Sequence, residues 1–466
     1  MNTTFKKKNW IFLLSSIVIM LIGKLASPVS ALSDAGNSAL FLMIAVLVLL
    51  ITESLPAGLI AIIGVTALPV LNLTGSLNEA GQLFGGQLFF YMLACFAISV
   101  IMGKLPISRR ILYFFLTKSK KSSKGIISAL LLTTALLSTF ISDFPACLLM
   151  YIISKQYIQM IEDEKERKQT QKSLLLGLVI AVHTGGIATP IGNSITILAS
   201  TFLAQSGYPV SFMQWMAFGV PIAVLSFPIA LFLLFKIFPP VEQDEETRAV
   251  FIKKVGEEIP DKFSLQEITT LIILGITFAC WIANFNLMMV TVLCGIALLF
   301  PGFNLLSWDE FNKGTSWNTV LLTSSLVAVI SVLQSTGVID WFLEIMLYLI
   351  PAASNSVFIL LVFGLFTFVI LLIIPNGPAL MVVLGSIIIG FAVTIDVHPA
   401  VFLIGFACFS TFSYILPIDS LNLILYDGGN NFDAADMAKV GVPMAFSATV
   451  ITAVWIPVCA VLLNFR

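Results

Sequence analysis

Charge is what this chain has least of: Asp, Glu, Lys and Arg make up 11% of its 466 residues, against 58% hydrophobic ones. A water-soluble domain carries roughly 25% charged residues, so a chain with a mean hydropathy of +1.03 cannot clothe a globular surface in water. The 24 Lys and Arg against 25 Asp and Glu leave a formal charge of −1, with no basic face able to neutralise several phosphates. Soluble enzymes and nucleic-acid binders are excluded by these shortages. Histidine is limited to His183 and His398, too few for a His-rich metal site. The six cysteines (Cys95, Cys147, Cys280, Cys294, Cys408 and Cys459) lie in apolar stretches without a CxxC pair, so they read as small buried hydrophobes rather than disulfides or zinc ligands. No GxSxG, HExxH or P-loop pattern occurs, which removes the usual signatures of hydrolysis and ATP-driven pumping. The chain is read as no enzyme and as needing no cofactor.

What is abundant is long apolar runs. Windows of spanning length fall at 10–27, 38–52, 56–72, 87–103, 174–204, 212–238, 266–283, 286–301, 318–349, 399–426 and 440–463, which predicts an all-α polytopic membrane protein with eleven spans. Two further stretches, 125–154 and 355–392, are interrupted by Ser142 to Pro145 and by Pro375 to Pro378. Each reads as a re-entrant hairpin, two half-helices meeting at a tip. With both hairpins returning to their own side, every Lys and Arg except Lys24 and Arg466 falls on one side, which the positive-inside rule makes cytoplasmic. The N-terminus is then inside and the C-terminus outside, and the multi-pass chain suits a bacterial inner (plasma) membrane. Lys6-Lys7-Lys8 and the apolar run after them resemble a signal peptide, but the run nears spanning length and more spans follow, so an uncleaved first helix is expected. The stretch Lys104 to Lys124, with Phe114 and Phe115 among basic residues, is expected to be an amphipathic arm against anionic lipid.

The order of features recurs. An apolar span, a broken hairpin and a helix broken by Gly, Pro and polar residues appear first around His183 to Thr196 (HTGGIATPIGNSIT) and again around Ser410 to Asn422 (STFSYILPIDSLN). The two hairpins enter from opposite sides, so the halves form an inverted repeat, whose broken helices commonly meet near the midplane at a substrate and coupling-ion site. Backbone freed from helical bonding cannot face lipid and must line a cavity or be buried in protein. The expected organisation is first-half scaffold helices over 1–103, then a hairpin, broken helix and following span over 104–238. A cytoplasmic linker over 239–264 leads to second-half scaffold helices over 265–349, and a second hairpin, broken helix and final span over 350–466.

Several stretches carry a resemblance: ITESLPAGLIA (Ile51 to Ala61), VSFMQWMAFGVPIA (Val210 to Ala223), SWNTVLL (Ser316 to Leu322), STGVIDWF (Ser335 to Phe342), LPIDSLNLILY (Leu416 to Tyr426) and DMAKVGVPM (Asp436 to Met444). Collinear over nearly the whole chain, they resemble the divalent anion/sodium symporter family, carriers of dicarboxylates, citrate and sulfate. The resemblance implies a homodimer in a lipid membrane, with a scaffold domain at the interface and a transport domain that moves in an elevator-like cycle. It also implies Ser-Asn-Thr tips that bind Na⁺ and substrate carboxylates. Here the tips read Ser142-Asp143-Phe144 and Pro375-Asn376-Gly377, so only Ser142 and Asn376 match and both threonines are gone. The Thr-Pro-Pro expected after each break is likewise altered, to Asn193-Ser194-Ile195 and Ser420-Leu421-Asn422.

The coupling-ion candidates are therefore Ser142, Asp143, Gly192, Asn376 and Asp419. An intramembrane carboxylate usually marks an ion or proton pathway, and Asp143 and Asp419 sit at pseudo-equivalent places, each also able to cap the following half-helix. Two acids fit either tighter Na⁺ binding or a cycling proton. Asn193, Ser194, Thr196, Gly377, Ser420 and Asn422 are the candidate substrate-binding residues. No Arg or Lys lies in a tip or break, so an anion would rely on amides, hydroxyls and bound cations. His183 is either a participant in coupling or a packing residue, His398 a solvated helix start, and Glu53 a helix cap. Three functions remain open: a secondary carrier of a small, dicarboxylate-like metabolite coupled to Na⁺ or H⁺, a cation/proton antiporter of the same architecture, and a membrane sensor that does not transport.

Overall fold

The structure, a computed structural model, describes residues 7–52, 54–120, 122–349, 355–373, 377–417 and 419–465. It is helical throughout, with no strand among the described residues. The first group of helices is α1 (Lys7–Leu25), α2 (Asp34–Ile51), α3 (Ala57–Val70), α4 (Leu77–Gln82) and α5 (Gly86–Lys104). It is followed by α6 (Ile107–Lys118), α7 (Ser123–Ser138), α8 (Asp143–Gln159), α9 (Glu164–Gly186), α10 (Ser194–Gln205) and α11 (Phe212–Ile237). After α12 (Glu245–Glu257) come α13 (Leu265–Ile282), α14 (Leu287–Leu299), α15 (Trp308–Gly314), α16 (Trp317–Ser335) and α17 (Val338–Leu349). The last group is α18 (Ser356–Ile373), α19 (Gly377–Thr394), α20 (Pro399–Thr411), α21 (Ser420–Tyr426) and α22 (Ala434–Leu462).

Local chemistry sets where these helices start. Ser211 with Gln214, and Ser264 with Glu267, close reciprocal capping boxes on α11 and α13, each satisfying amides that the first helical turn leaves free. Seven helices (α2, α5, α11, α13, α16, α19 and α22) are long and apolar enough to cross a membrane by length and composition. Their outer faces stay apolar: Val224 and Phe232 of α11, Ile276 of α13 and Phe446 of α22 are each at least 60% exposed. Polar groups are turned inward, where Ser138, Thr196, Ser410 and Thr411 are all but fully buried. Between helices in an apolar medium, close packing and hydrogen bonds replace the hydrophobic drive. Accordingly, the Gly58 amide of α3 donates to Asn318 Oδ1 of α16 at 3.0 Å, and Ser325 Oγ donates to the Ala61 carbonyl at 2.7 Å.

Helix α1 packs on α2, α2 and α3 pack against α16, and α5 packs against α14, which pairs with α13, whereas α7–α11 pack among themselves and with α18–α22. The two groups meet chiefly where α19 lies against α16 and α17, and where α8 lies against α5. Three features depart from the sequence reading. The run 318–349 is two helices, separated at Thr336-Gly337, where Gly337 has φ +75°, a left-handed geometry that suits a residue without a Cβ. The basic arm holds α6, whose Ile107, Leu112 and Leu116 are buried in the protein, and the 239–264 linker folds back onto it as α12. Gly256 there sits against the Tyr113 ring, and Arg109 pairs with Glu258 at 3.1 Å. His398 is the N-cap of α20, half-buried with its ring 4.3 Å from that of Phe465, so it is packed rather than solvated.

Candidate functional site

The first tip forms where α7 ends at Ser138 and α8 begins at Asp143. Ser142 occupies the N-cap position without a side-chain cap bond, so Asp143 is the first helical residue and its carboxylate is free to turn inward. Its Oδ1 lies 2.6 Å from Ser138 Oγ, and its Oδ2 lies 3.8 Å from Nδ1 of His183 on α9. Ser138 Oγ is also 2.6 Å from the Val182 carbonyl. One hydroxyl proton thus faces two acceptors. Neither nitrogen of the buried His183 ring makes a hydrogen bond among the described residues.

The first break runs from Ile187 to Asn193, between α9 and α10. Its carbonyls are taken up by protein: Trp215 Nε1 donates to Ile187 O at 3.1 Å and Tyr91 Oη to Pro190 O at 3.3 Å, while Thr189 Oγ1 donates across to the Thr139 carbonyl of the first tip at 2.5 Å. This is the internal satisfaction that non-helical backbone requires at membrane depth. Two glycines are fixed here by close approach: a Cβ on Gly192 would run into the Gly186 backbone, and one on Gly186 into the Asp143 carboxylate. Asn193 caps α10, accepting from the Thr196 amide at 2.9 Å, and its Nδ2 reaches Thr411 Oγ1 at 3.4 Å.

The second break, between α20 and α21, repeats this plan. Asp419 caps α21 through the Leu421 amide at 2.9 Å, and Asn422 Nδ2 donates to the Ser413 carbonyl. The second tip leads into α19 at Gly377, where a Cβ would press on the Ser410 carbonyl. Tips and breaks therefore converge on a cavity of about 530 Å³, within the usual range for small-ligand sites. It is lined by Ser142, Asp143, Asn193, Ser194, Gly377 and Asp419 among others.

Gly192, Thr196 and Asn422 lie apart from its wall. Gly192 serves the backbone contact just described, and the Thr196 hydroxyl is spent on its capping box with Asn193. Asn422 is buried beside Ser413, with Oδ1 left without a partner among the described residues. Asn376 lies outside the described residues, as do Glu53 and the side chain of Ser420. His183 also lines the cavity, as do residues with no role assigned from the sequence: Ser410 and Thr411 at the end of α20, and Lys313, Ser316, Asn318 and Thr319 at the α15–α16 junction. In the sequence the Ser316-Trp317-Asn318 stretch stands out only as part of the family likeness, and Lys313 only as one of the cations on the cytoplasmic side.

The profile of the citrate transporter family matches residues 47–353, more than half of the chain. The chain belongs to the citrate transporter family. Over 94% of its length it is 23% identical to the sodium-dependent dicarboxylate transporter SdcS of Staphylococcus saprophyticus, covering 90% of that protein. Its counterpart in Staphylococcus aureus strain USA300 is 23% identical over 84% of this chain and 79% of its own. Among solved structures, MtrF of Neisseria gonorrhoeae, from a class of antimetabolite efflux pumps, superposes with a TM-score of 0.56 at 13% identity, over 96% of this chain and 94% of that one. The YdaH transporter of Alcanivorax borkumensis gives 0.51 at 12% identity, over 82% and 87%. At such identities the two structures speak for the fold alone. Membership of the citrate transporter family makes this a multi-pass membrane transporter and not an enzyme, in line with the symporter resemblance of the sequence.

Proposed function

We propose that the protein is a secondary active carrier of a small dicarboxylate-like anion, driven by a cation gradient. The observation that carries this reading is the convergence of two tips and two breaks on one cavity that holds both Asp143 and Asp419. Two carboxylates beside an anion site repel a dianion unless cations neutralise them first, which orders the cycle: cation, then substrate. At the first tip, the two acceptors around Ser138 Oγ are reconciled either by a Na⁺ ion on the Asp143 and Ser138 oxygens or by a proton on Asp143. Sodium is favoured, because the Staphylococcus relatives are sodium-dependent.

The residues assigned to coupling remain Ser142, Asp143, Gly192, Asn376 and Asp419, and those assigned to substrate Asn193, Ser194, Thr196, Gly377, Ser420 and Asn422. Of these, Asn193, Ser194 and Gly377 are supported by their place on the cavity wall. An elevator motion of α7–α11 with α18–α22 against the other helices is supported by a second cavity of about 450 Å³. That cavity lies between α10, α19 and the later part of α16, with Ser331, Gln334 and Gln205 in its wall, so open space exists at both ends of the same sliding surface. Eleven spans, two re-entrant hairpins in an inverted repeat, and a homodimer in the plasma membrane complete the proposal. The cytoplasmic side is the one on which Lys104 pairs with Glu310 and Lys172 with Asp436, leaving the C-terminus outside. Uptake into proteoliposomes of succinate, malate, citrate, sulfate and neutral metabolites, under separate Na⁺ and H⁺ gradients, tests the reading. Gradient-driven uptake of one anion is expected; Na⁺/H⁺ exchange with no anion moving would give the antiporter instead.

A further inference from the structure

The cavity has two unlike walls. One consists of tips and breaks and carries Asp143 and Asp419. The other is the end of α15 and the first turn of α16, belonging to the helix group that stays fixed in the proposed cycle, and it carries Lys313. Lys313 is exposed, and no carboxylate pairs with it among the described residues. Its neighbour Glu310 is already held by Lys104 at 2.8 Å and by the Ser307 amide at 2.9 Å.

Beside Lys313, α16 opens its amide end to the cavity. Ser316 occupies the N-cap position but makes no side-chain cap bond, its hydroxyl lying instead 2.7 Å from Thr319 Oγ1. First-turn amides of a helix have no intrahelical acceptor and favour an anion. Across the same cavity, Ser410 is fully buried and its Oγ has no partner among the described residues. A buried hydroxyl without a partner is costly, and Ser410 belongs to the wall of this cavity.

We infer that Lys313 and the uncapped first turn of α16 form a second anion subsite, which receives one carboxylate of a dicarboxylate while the other faces Ser194 and Ser410 on the moving wall. The inference rests on the carrier reading and adds a one-sided element to it. A charge fixed on the scaffold meets substrate only when the moving helices present the cavity on the side where Lys313 lies. It therefore assists capture on the cytoplasmic face and drops out of the site once those helices have crossed. It also balances part of the negative charge of the two aspartates.

Half-saturating succinate is measured on each face separately, in right-side-out and inside-out vesicles, for wild type, Lys313→Gln and Lys313→Arg. Lys313→Gln is expected to raise the value about tenfold on the cytoplasmic face, the order of one charge-assisted hydrogen bond, and to leave the outer face unchanged. Lys313→Arg restores it, and added salt weakens the wild type more than Lys313→Gln. An unchanged cytoplasmic value, or an equal loss on both faces, overturns the subsite while leaving the carrier intact. If wild type carries no succinate on either face, the carrier reading for this substrate class fails and the subsite falls with it.

Discussion

Replacing Asp143 by Asn removes one charge and almost nothing else. The amide Nδ2 can donate to Ser138 Oγ, which lies 2.6 Å from the carboxylate, and this frees the hydroxyl proton for the Val182 carbonyl. The folding cost is confined to an acidic group lost from the first turn of α8, about 0.3–1 kcal/mol. The functional cost is larger, because a cation bound at the first tip loses its formally charged ligand. A charge-assisted contact contributes about 1.5–3 kcal/mol, so the half-saturating cation concentration should rise about 10- to 150-fold. The assay is anion uptake into proteoliposomes as a function of external Na⁺ at fixed pH, repeated as a function of pH at fixed Na⁺, with thermal unfolding in detergent as the folding control. A shift in the Na⁺ curve identifies Asp143 as a sodium ligand. A wild-type Na⁺ curve with a flattened pH profile identifies it as a proton carrier. Wild-type dependence on both ions, in a folded protein, would refute the coupling role and with it the argument from the first tip.

At the second break, capping and charge can be separated: Asp419→Asn retains an N-cap for α21, whereas Asp419→Ala loses about 1 kcal/mol of it. Both should change cation dependence, while only the alanine variant should melt earlier. Gly192→Ala drives a methyl into the Gly186 backbone; overpacking of about 1–3 kcal/mol should lower the unfolding temperature and abolish uptake, and an alanine variant with wild-type uptake would contradict the described break. Tyr91→Phe removes the donor to the Pro190 carbonyl and should cost about 0.5–1.5 kcal/mol, read by thermal unfolding. In the loop between α14 and α16, the Lys104 ammonium and the Ser307 amide and hydroxyl hold the Glu310 carboxyl down, from 4.5 to about 2. Because the folded value lies below the unfolded one, this tether is fully present above pH 4.5 and is lost as the pH falls toward 2. Hydrogen exchange in α15 should accelerate in that window in wild type and already at neutral pH in Glu310→Gln.

How much of this was legible in the chain depends on the range of the forces involved. Composition excluded a soluble protein, since the bilayer demands apolar runs of a certain length wherever they pack. The polar interruptions at Ser142 to Pro145 and at Gly185 to Asn193 marked where helices stop, because Pro, Gly and capping residues act within a turn of their own position. The resemblance to anion carriers rested on similarly local stretches and agrees with the citrate transporter family. The splitting of 318–349 at Gly337 was present in the sequence as a Thr-Gly pair, but its apolar flanks concealed it. The helical order of α6 and α12 was concealed too, since each buries only one face, α6 against α7 and α12.

Which residues share the site was a matter for the tertiary structure alone. Asp143 and His183 are forty residues apart in sequence and meet because α8 lies against α9; Asn193 reaches Thr411 because the halves pack together. Thr196 and Asn422, polar residues at the same breaks, are turned into caps and backbone bonds instead. Lys313 shows the division most clearly. By sequence it is a cytoplasmic loop cation, placed by a rule that counts charge along the chain. Only the packing of α15 against α5, and of α16 between α3 and α19, sets the α15–α16 junction in the wall of the cavity, because burial and long-range contact depend on the whole fold and leave no local mark.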